Sequence, residues 1–189
     1  MVIIITGATH TGKTALAKKL VRKTGFFCVS VDHLKMGLIR SGNTTLTPYD
    51  DDELTDYLWP IVREMIKTAI ENGQDLVVEG CYVPFNWRDG LGKVYLSQIE
   101  YVCLCMSSDY IASHFDDILA HRSDAENRLY DADPAPASYI RDNRYFERGC
   151  RQAGNTLLMI EDSWEQSVGL WLDRITDTAT ERTMPTTHD

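Results

Sequence analysis

The chain has 189 residues, 43% of them hydrophobic, and a formal net charge of −9 at pH 7. That length suits one α/β domain with room for a small insertion, and that composition can bury a core. The acidic balance argues against a nucleic-acid or anionic-membrane surface as the main partner, and no apolar run approaches membrane-spanning length.

Val2-Ile3-Ile4-Ile5-Thr6 is a short apolar, β-branched run that reads as a buried strand. The next eight residues, Gly7-Ala8-Thr9-His10-Thr11-Gly12-Lys13-Thr14, fit the phosphate-binding pattern G-x-x-x-x-G-K-[ST]. Ala15 to Val21 then reads as a helix. Glycines let the backbone turn tightly, so that successive N–H groups converge on one anion. The helix that starts near Gly12 aims its free N–H groups and positive dipole end at the same point. The pattern therefore predicts a nucleotide site made of Gly7, Ala8, Thr9, His10, Thr11, Gly12, Lys13, Thr14 and Ala15. Lys13 is expected to reach the outer phosphates, and the Thr14 hydroxyl to ligate Mg²⁺.

Phe26 to Val31 reads as a second strand ending at Asp32, followed by a short helix over His33 to Arg40. Asp50-Asp51-Asp52 should cap a long helix whose apolar face carries Leu54, Leu58, Ile61, Met65, Ile66 and Ile70, with Pro60 kinking it. Leu76-Val77-Val78 is a third strand with Glu79-Gly80 at its carboxyl end. Pro84 to Ser97 reads as loop with a short helix, and Ile99 to Met106 as a fourth strand. Ser107-Ser108-Asp109 caps a helix carrying Ile111, Phe115, Ile118 and Leu119. Arg122 to Ala137 is polar, with two prolines, and reads as a loop or lid. Ser138 opens a helix to about Gly154, and Thr156 to Ile160 is a fifth strand. Asp162 or Ser163 caps a last helix with Val168, Trp171, Leu172 and Ile175 on one face. The polar tail, 179–189, should fray. Of five cysteines, Cys28, Cys103 and Cys105 lie in apolar runs and read as reduced core residues. That usage, with no targeting signal in the sequence, predicts a cytoplasmic protein.

Strands alternating with helices imply a mainly parallel sheet covered on both faces, which binds ligands beyond the carboxyl ends of its strands. That rule selects the loop after strand one, Asp32 after strand two and Glu79 after strand three. Glu79 ends an otherwise apolar strand, so its charge needs a partner. A Mg²⁺ water shell or an acceptor group would supply one.

With those positions assembled, the chain resembles the small P-loop kinases: the nucleoside monophosphate kinases, the shikimate and gluconate type kinases, and the zeta-toxin group. The resemblance implies a three-layer α/β/α P-loop NTPase fold over residues 1–178, with five parallel strands in the order 2-3-1-4-5. It implies a helical substrate-binding insertion at 32–73 and a lid at 122–137. It implies ATP and Mg²⁺ as cofactors and a small-molecule phosphate acceptor, with neither nucleic acid nor membrane as partner. Asp32 would bind or deprotonate an acceptor hydroxyl. Arg40 and Arg88, with Asp32 and Glu79, would hold the acceptor, and Thr14 and Glu79 the metal. Arg122 and Arg128 in the lid would join Lys13 in neutralising the migrating phosphoryl group. Glu79-Gly80-Cys81-Tyr82-Val83-Pro84 is similar to the Asp-Gly-Phe-Pro-Arg segment of nucleoside monophosphate kinases, but has Glu for Asp and no Arg directly after Pro84.

The expected activity is transfer of the γ-phosphate of ATP to a small hydroxylated metabolite or nucleotide. A zeta-like nucleotide-sugar kinase, a nucleoside monophosphate kinase and a non-catalytic nucleotide switch are the alternatives. The Asn-Lys-x-Asp pattern that specifies guanine occurs nowhere in the sequence.

Overall fold

A computed structural model describes residues 1–121 and 135–183, with side chains to residue 179. Five strands form one parallel sheet: β1 (Val2–Gly7), β2 (Phe27–Ser30), β3 (Leu76–Glu79), β4 (Ile99–Met106) and β5 (Leu157–Ile160), in the order β2-β3-β1-β4-β5. The order and the layering agree with the sequence expectation.

The layering follows from the period-2 alternation of strand side chains. Val2 and Ile4 of β1, with Cys103 and Cys105 of β4, point to one face of the sheet. There they meet Leu54, Leu58, Val62 and Ile66 of α3 (Asp51–Glu71), and Phe146 and Cys150 of α7 (Pro136–Gln152). Ile3, Ile5, Val102 and Leu104 point to the other face, against Leu16 and Leu20 of α1 (Lys13–Thr24) and Val168, Trp171, Leu172 and Ile175 of α8 (Trp164–Thr183). β1 is central and buried on both sides, which is why it reads as an unbroken apolar run. Each of its fully buried isoleucines contributes about 1.5–3 kcal/mol relative to exposure.

Three boundaries differ from expectation. Val31 opens α2 (Val31–Arg40) instead of closing β2, so Asp32 sits in a helical first turn and not at a strand end. The helix after β4 is broken at His114 into α5 (Ser108–Ser113) and α6 (Phe115–Ala120), with the Ser107 hydroxyl accepting from Tyr110 N as a cap. α8 runs on to Thr183 with Ala179 buried, so part of the expected tail belongs to the last helix. α3 continues through Pro60, and α4 (Lys93–Leu96) is the short helix foreseen between Pro84 and Ser97.

Asp50 precedes α3, but its carboxylate turns back to accept from the Thr47 amide and hydroxyl at 2.7 and 2.9 Å. Cys103, Cys105 and Cys150 are buried, as their apolar runs suggest for the first two. Cys28 is not: β2 is an edge strand, and Cys28 and Phe27 face outwards. No helix among the described residues is long and apolar enough to cross a membrane.

Candidate active site

The parallel sheet delivers the glycine loop, Asp32 and Glu79 to one edge. Ile5, Glu79 and Ser30 are in register across β1, β3 and β2, so the loop that leaves β1 passes beside the Glu79 carboxylate. Gly12 caps α1 with φ +84°, a conformation that glycine adopts without strain. His10 also has a positive φ of 62° and is the only such non-glycine residue among those described.

Lys13 is buried, and its ammonium donates to Ala8 O at 2.7 Å, spanning the loop from inside. The Thr11 hydroxyl also donates to Ala8 O, at 2.8 Å. Thr14 Oγ1 donates to Glu79 Oε2 at 3.1 Å, while Glu79 Oε1 is buried without a hydrogen-bond partner among the described residues. Burial pushes the Glu79 carboxyl above its usual range. The Ser30 hydroxyl, the Lys13 ammonium and the Thr14 hydroxyl oppose that shift, and Asp32 reinforces it. Ser30 is near enough to favour the charge without meeting the geometry of a hydrogen bond. An orphaned carboxylate oxygen beside a Thr hydroxyl suits a divalent cation and its water shell.

Asp32 enters the same cleft from the first turn of α2. It pairs with Lys35 at 3.1 Å, one turn along the helix. Lys35 also donates to Tyr82 Oη at 2.8 Å, and that hydroxyl donates to Asp51 Oδ1 at 3.0 Å. A chain of polar groups thus links α2, the Glu79–Pro84 segment and α3. Cys81 lies among these charges; burial, foremost, pushes its thiol up to about 12, so it stays protonated at neutral pH.

Two further elements hold the loop. Trp164, at the start of α8, donates its indole N–H to Thr11 O at 2.9 Å. A Cβ on Gly12 would come within 2.5 Å of that indole nitrogen. From α7, the Asp142 carboxylate accepts from the Thr9 amide at 2.9 Å, and the Tyr139 ring stacks on His10 at 5.2 Å. Asn143 anchors this part of α7 by accepting from Met106 N at 2.7 Å. A cleft of about 720 Å³ opens above the loop, lined among others by His10, Lys13, Thr14, Asp32, Tyr110 and Trp164. That volume is typical of a site for one small molecule.

No protein-family model matches the chain, and no curated protein does. Solved structures do. A gluconokinase from Sinorhizobium meliloti 1021 aligns over 96% of this chain and 97% of its own, at 15% identity and a TM-score of 0.52. A sugar kinase from Janibacter sp. HTCC2649 aligns over 92% and 93%, at 15% identity and a TM-score of 0.54. Shikimate kinase from Aquifex aeolicus aligns over 95% and 99%, at 13% identity and a TM-score of 0.51. The chain has the fold of the P-loop kinases.

On that P-loop kinase fold, the structure brings Lys13, Thr14, Asp32 and Glu79 together around the loop. It does not bring Arg88 there. The Arg88 guanidinium donates to Asn155 Oδ1 and lies over Trp87 at 4.6 Å, and Asn155 lies just before β5, an edge strand of the sheet. The reason is local: Asn155 also accepts from Trp87 Nε1 and donates to Phe85 O, so one asparagine fastens the whole Phe85–Arg88 turn. Arg40 is exposed at the far end of α2. Arg122 and Arg128 lie outside the described residues. Asp142, Tyr139, Trp164 and the Lys35–Tyr82 pair escape a reading of the sequence. The one available signal was the i, i+3 spacing of Tyr139 and Asp142, which puts both on one face of a helix.

Proposed function

We propose that the chain is an ATP- and Mg²⁺-dependent phosphotransferase that acts on a small hydroxylated acceptor. The observation that carries this reading is the convergence, at one sheet edge, of the Gly7–Thr14 loop, the Thr14–Glu79 pair and Asp32. Phosphoryl transfer asks a protein for positioning and charge neutralisation more than for covalent help. Loop amides and the start of α1 bind the phosphates. Lys13 exchanges its bond to Ala8 O for the outer phosphates. The Thr14 hydroxyl and Glu79 would hold Mg²⁺. The metal, when bound, supplies charge neutralisation across the outer phosphates. Asp32, oriented by Lys35, accepts a hydrogen bond from the acceptor hydroxyl and takes its proton. Arg122 and Arg128 are proposed as the lid cations, and Arg40 as a cation at the mouth of the acceptor side.

Within this reading a neutral polyol or sugar ranks above a nucleoside monophosphate, because Arg88 is committed to Asn155. Labelled Mg·ATP should be screened against sugars, polyols, hydroxy acids, nucleoside monophosphates and nucleotide sugars. Acceptor-dependent transfer that is lost in Lys13→Ala supports the assignment. No transfer to any class, with identical background hydrolysis in the variant, overturns it.

A further inference from the structure

We propose that Asp142 makes the loop discriminate between nucleoside triphosphate and diphosphate, because its carboxylate holds the backbone amide that an outermost phosphate would approach. The inference rests on the phosphotransferase reading and adds a residue to it. Thr9 N donates to Asp142 Oδ2 at 2.9 Å, across 133 positions of sequence. The bond is not incidental. Asn143, the next residue, is itself buried and accepts from the Met106 amide, and Tyr139 stacks on His10, so the same stretch of α7 is fixed to the site at three points.

The position of Thr9 along the phosphate chain follows from Lys13. Its ammonium, the group expected to grip outer phosphates, rests at 2.7 Å from Ala8 O, the residue before Thr9. The amides at the start of α1, beyond Gly12, lie at the other end of the loop and face the inner phosphates. A triphosphate filling the cup from α1 outwards therefore brings its last phosphate towards the Ala8–Thr9 limb, and a diphosphate stops short of it. There the terminal phosphate meets a carboxylate that claims the same donor and carries the same sign of charge. Among the described residues, Lys13 and Asp51 are the charged groups whose fields act on Asp142. Lys13 attracts both anions, and Asp51 adds to the repulsion. Triphosphate binding thus has to displace Asp142 from Thr9, and after transfer the carboxylate regains its amide.

Calorimetric titrations of the wild type, Asp142→Asn and Asp142→Ala with the magnesium complexes of AMPPNP and ADP test this. Removal of the charge should tighten AMPPNP binding by about tenfold or more. The same change should leave ADP within about twofold, since a diphosphate ends farther from the carboxylate. A merely structural role would move both nucleotides alike, and that result, or no change, or weaker AMPPNP binding, overturns the proposal while nucleotide binding itself stands. Absence of heat with either nucleotide in all three proteins removes the phosphotransferase reading and the proposal together. Should neither variant fold, the wild-type ratio decides: AMPPNP bound as tightly as ADP or more tightly overturns the proposal, and ADP bound more tightly supports it.

Discussion

The indole of Trp164 sits where a side chain on Gly12 would have to go. Its N–H holds Thr11 O at 2.9 Å, and a Cβ on Gly12 would fall 2.5 Å from its nitrogen. Gly12→Ala therefore meets both a left-handed backbone and an occupied space, and should cost about 1–3 kcal/mol of stability. Trp164→Phe loses both the hydrogen bond and part of the indole's packing, and should cost about 1–3 kcal/mol. Urea denaturation of the two variants measures both losses.

Glu79 gives a pH prediction. Its folded-state pKa is raised, chiefly by burial, above the ordinary 4.5. Between the unfolded and folded values the native state holds the proton more tightly, so this group's stabilising contribution is full below the unfolded pKa and is lost as pH rises through the folded one. Asp142 is shifted in the same direction, also by burial first. Glu79→Gln should flatten the fall in stability above pH 4.5 and be the more stable protein at pH 8, at the expense of Mg²⁺-dependent nucleotide binding. Guanidinium melts at several pH values, with calorimetry for Mg·ADP, measure both effects.

Tyr82→Phe removes the hydroxyl that accepts from Lys35 and donates to Asp51. Each partner keeps some solvent access, so the expected loss is about 0.5–1.5 kcal/mol and not a collapse of the fold. Because Lys35 then pairs with Asp32 alone, phosphoryl transfer should fall more than nucleotide affinity does. Comparing Mg·ADP binding with turnover in the variant separates the two.

Arg88→Ala should destabilise the protein by about 1 kcal/mol and leave nucleotide affinity unchanged, since its guanidinium serves Asn155 and Trp87. Thermal melting and ADP calorimetry report the two effects. A drop in nucleotide affinity without a drop in melting temperature would contradict this placement.

What sequence could reveal here was whatever depends on near neighbours. β4 spans Ile99–Met106 as its apolar run predicts, and the G-x-x-x-x-G-K-[ST] pattern marks the loop residue by residue. Glu79 stood out because a parallel sheet gathers strand ends along one edge, and Asp32 because it follows the end of β2 by two residues. Local rules failed where a distant element decided. Val31, β-branched and following a strand, joins α2 because it is buried against the α3 face of the core. Arg88 looked like an acceptor cation by its place after strand three, yet its fate was set by Asn155, far along the chain. Asp142 sits between Arg141 and Arg144, both exposed, and its carboxylate is the one turned to the loop. No spacing rule foretells a contact between Thr9 and Asp142.

Phe85 closes over Gly149 so tightly that even a methyl group there would collide with the ring, and Tyr145 and Phe146 box that ring in. Gly149 lies seven positions beyond Asp142 on the same rod, about 10 Å along its axis. The helix therefore works as a beam clamped at its rear, with the load carried near its front. A bulkier residue at the clamp would tilt the beam, and nucleotide preference could drift through a change that touches neither phosphate nor acceptor.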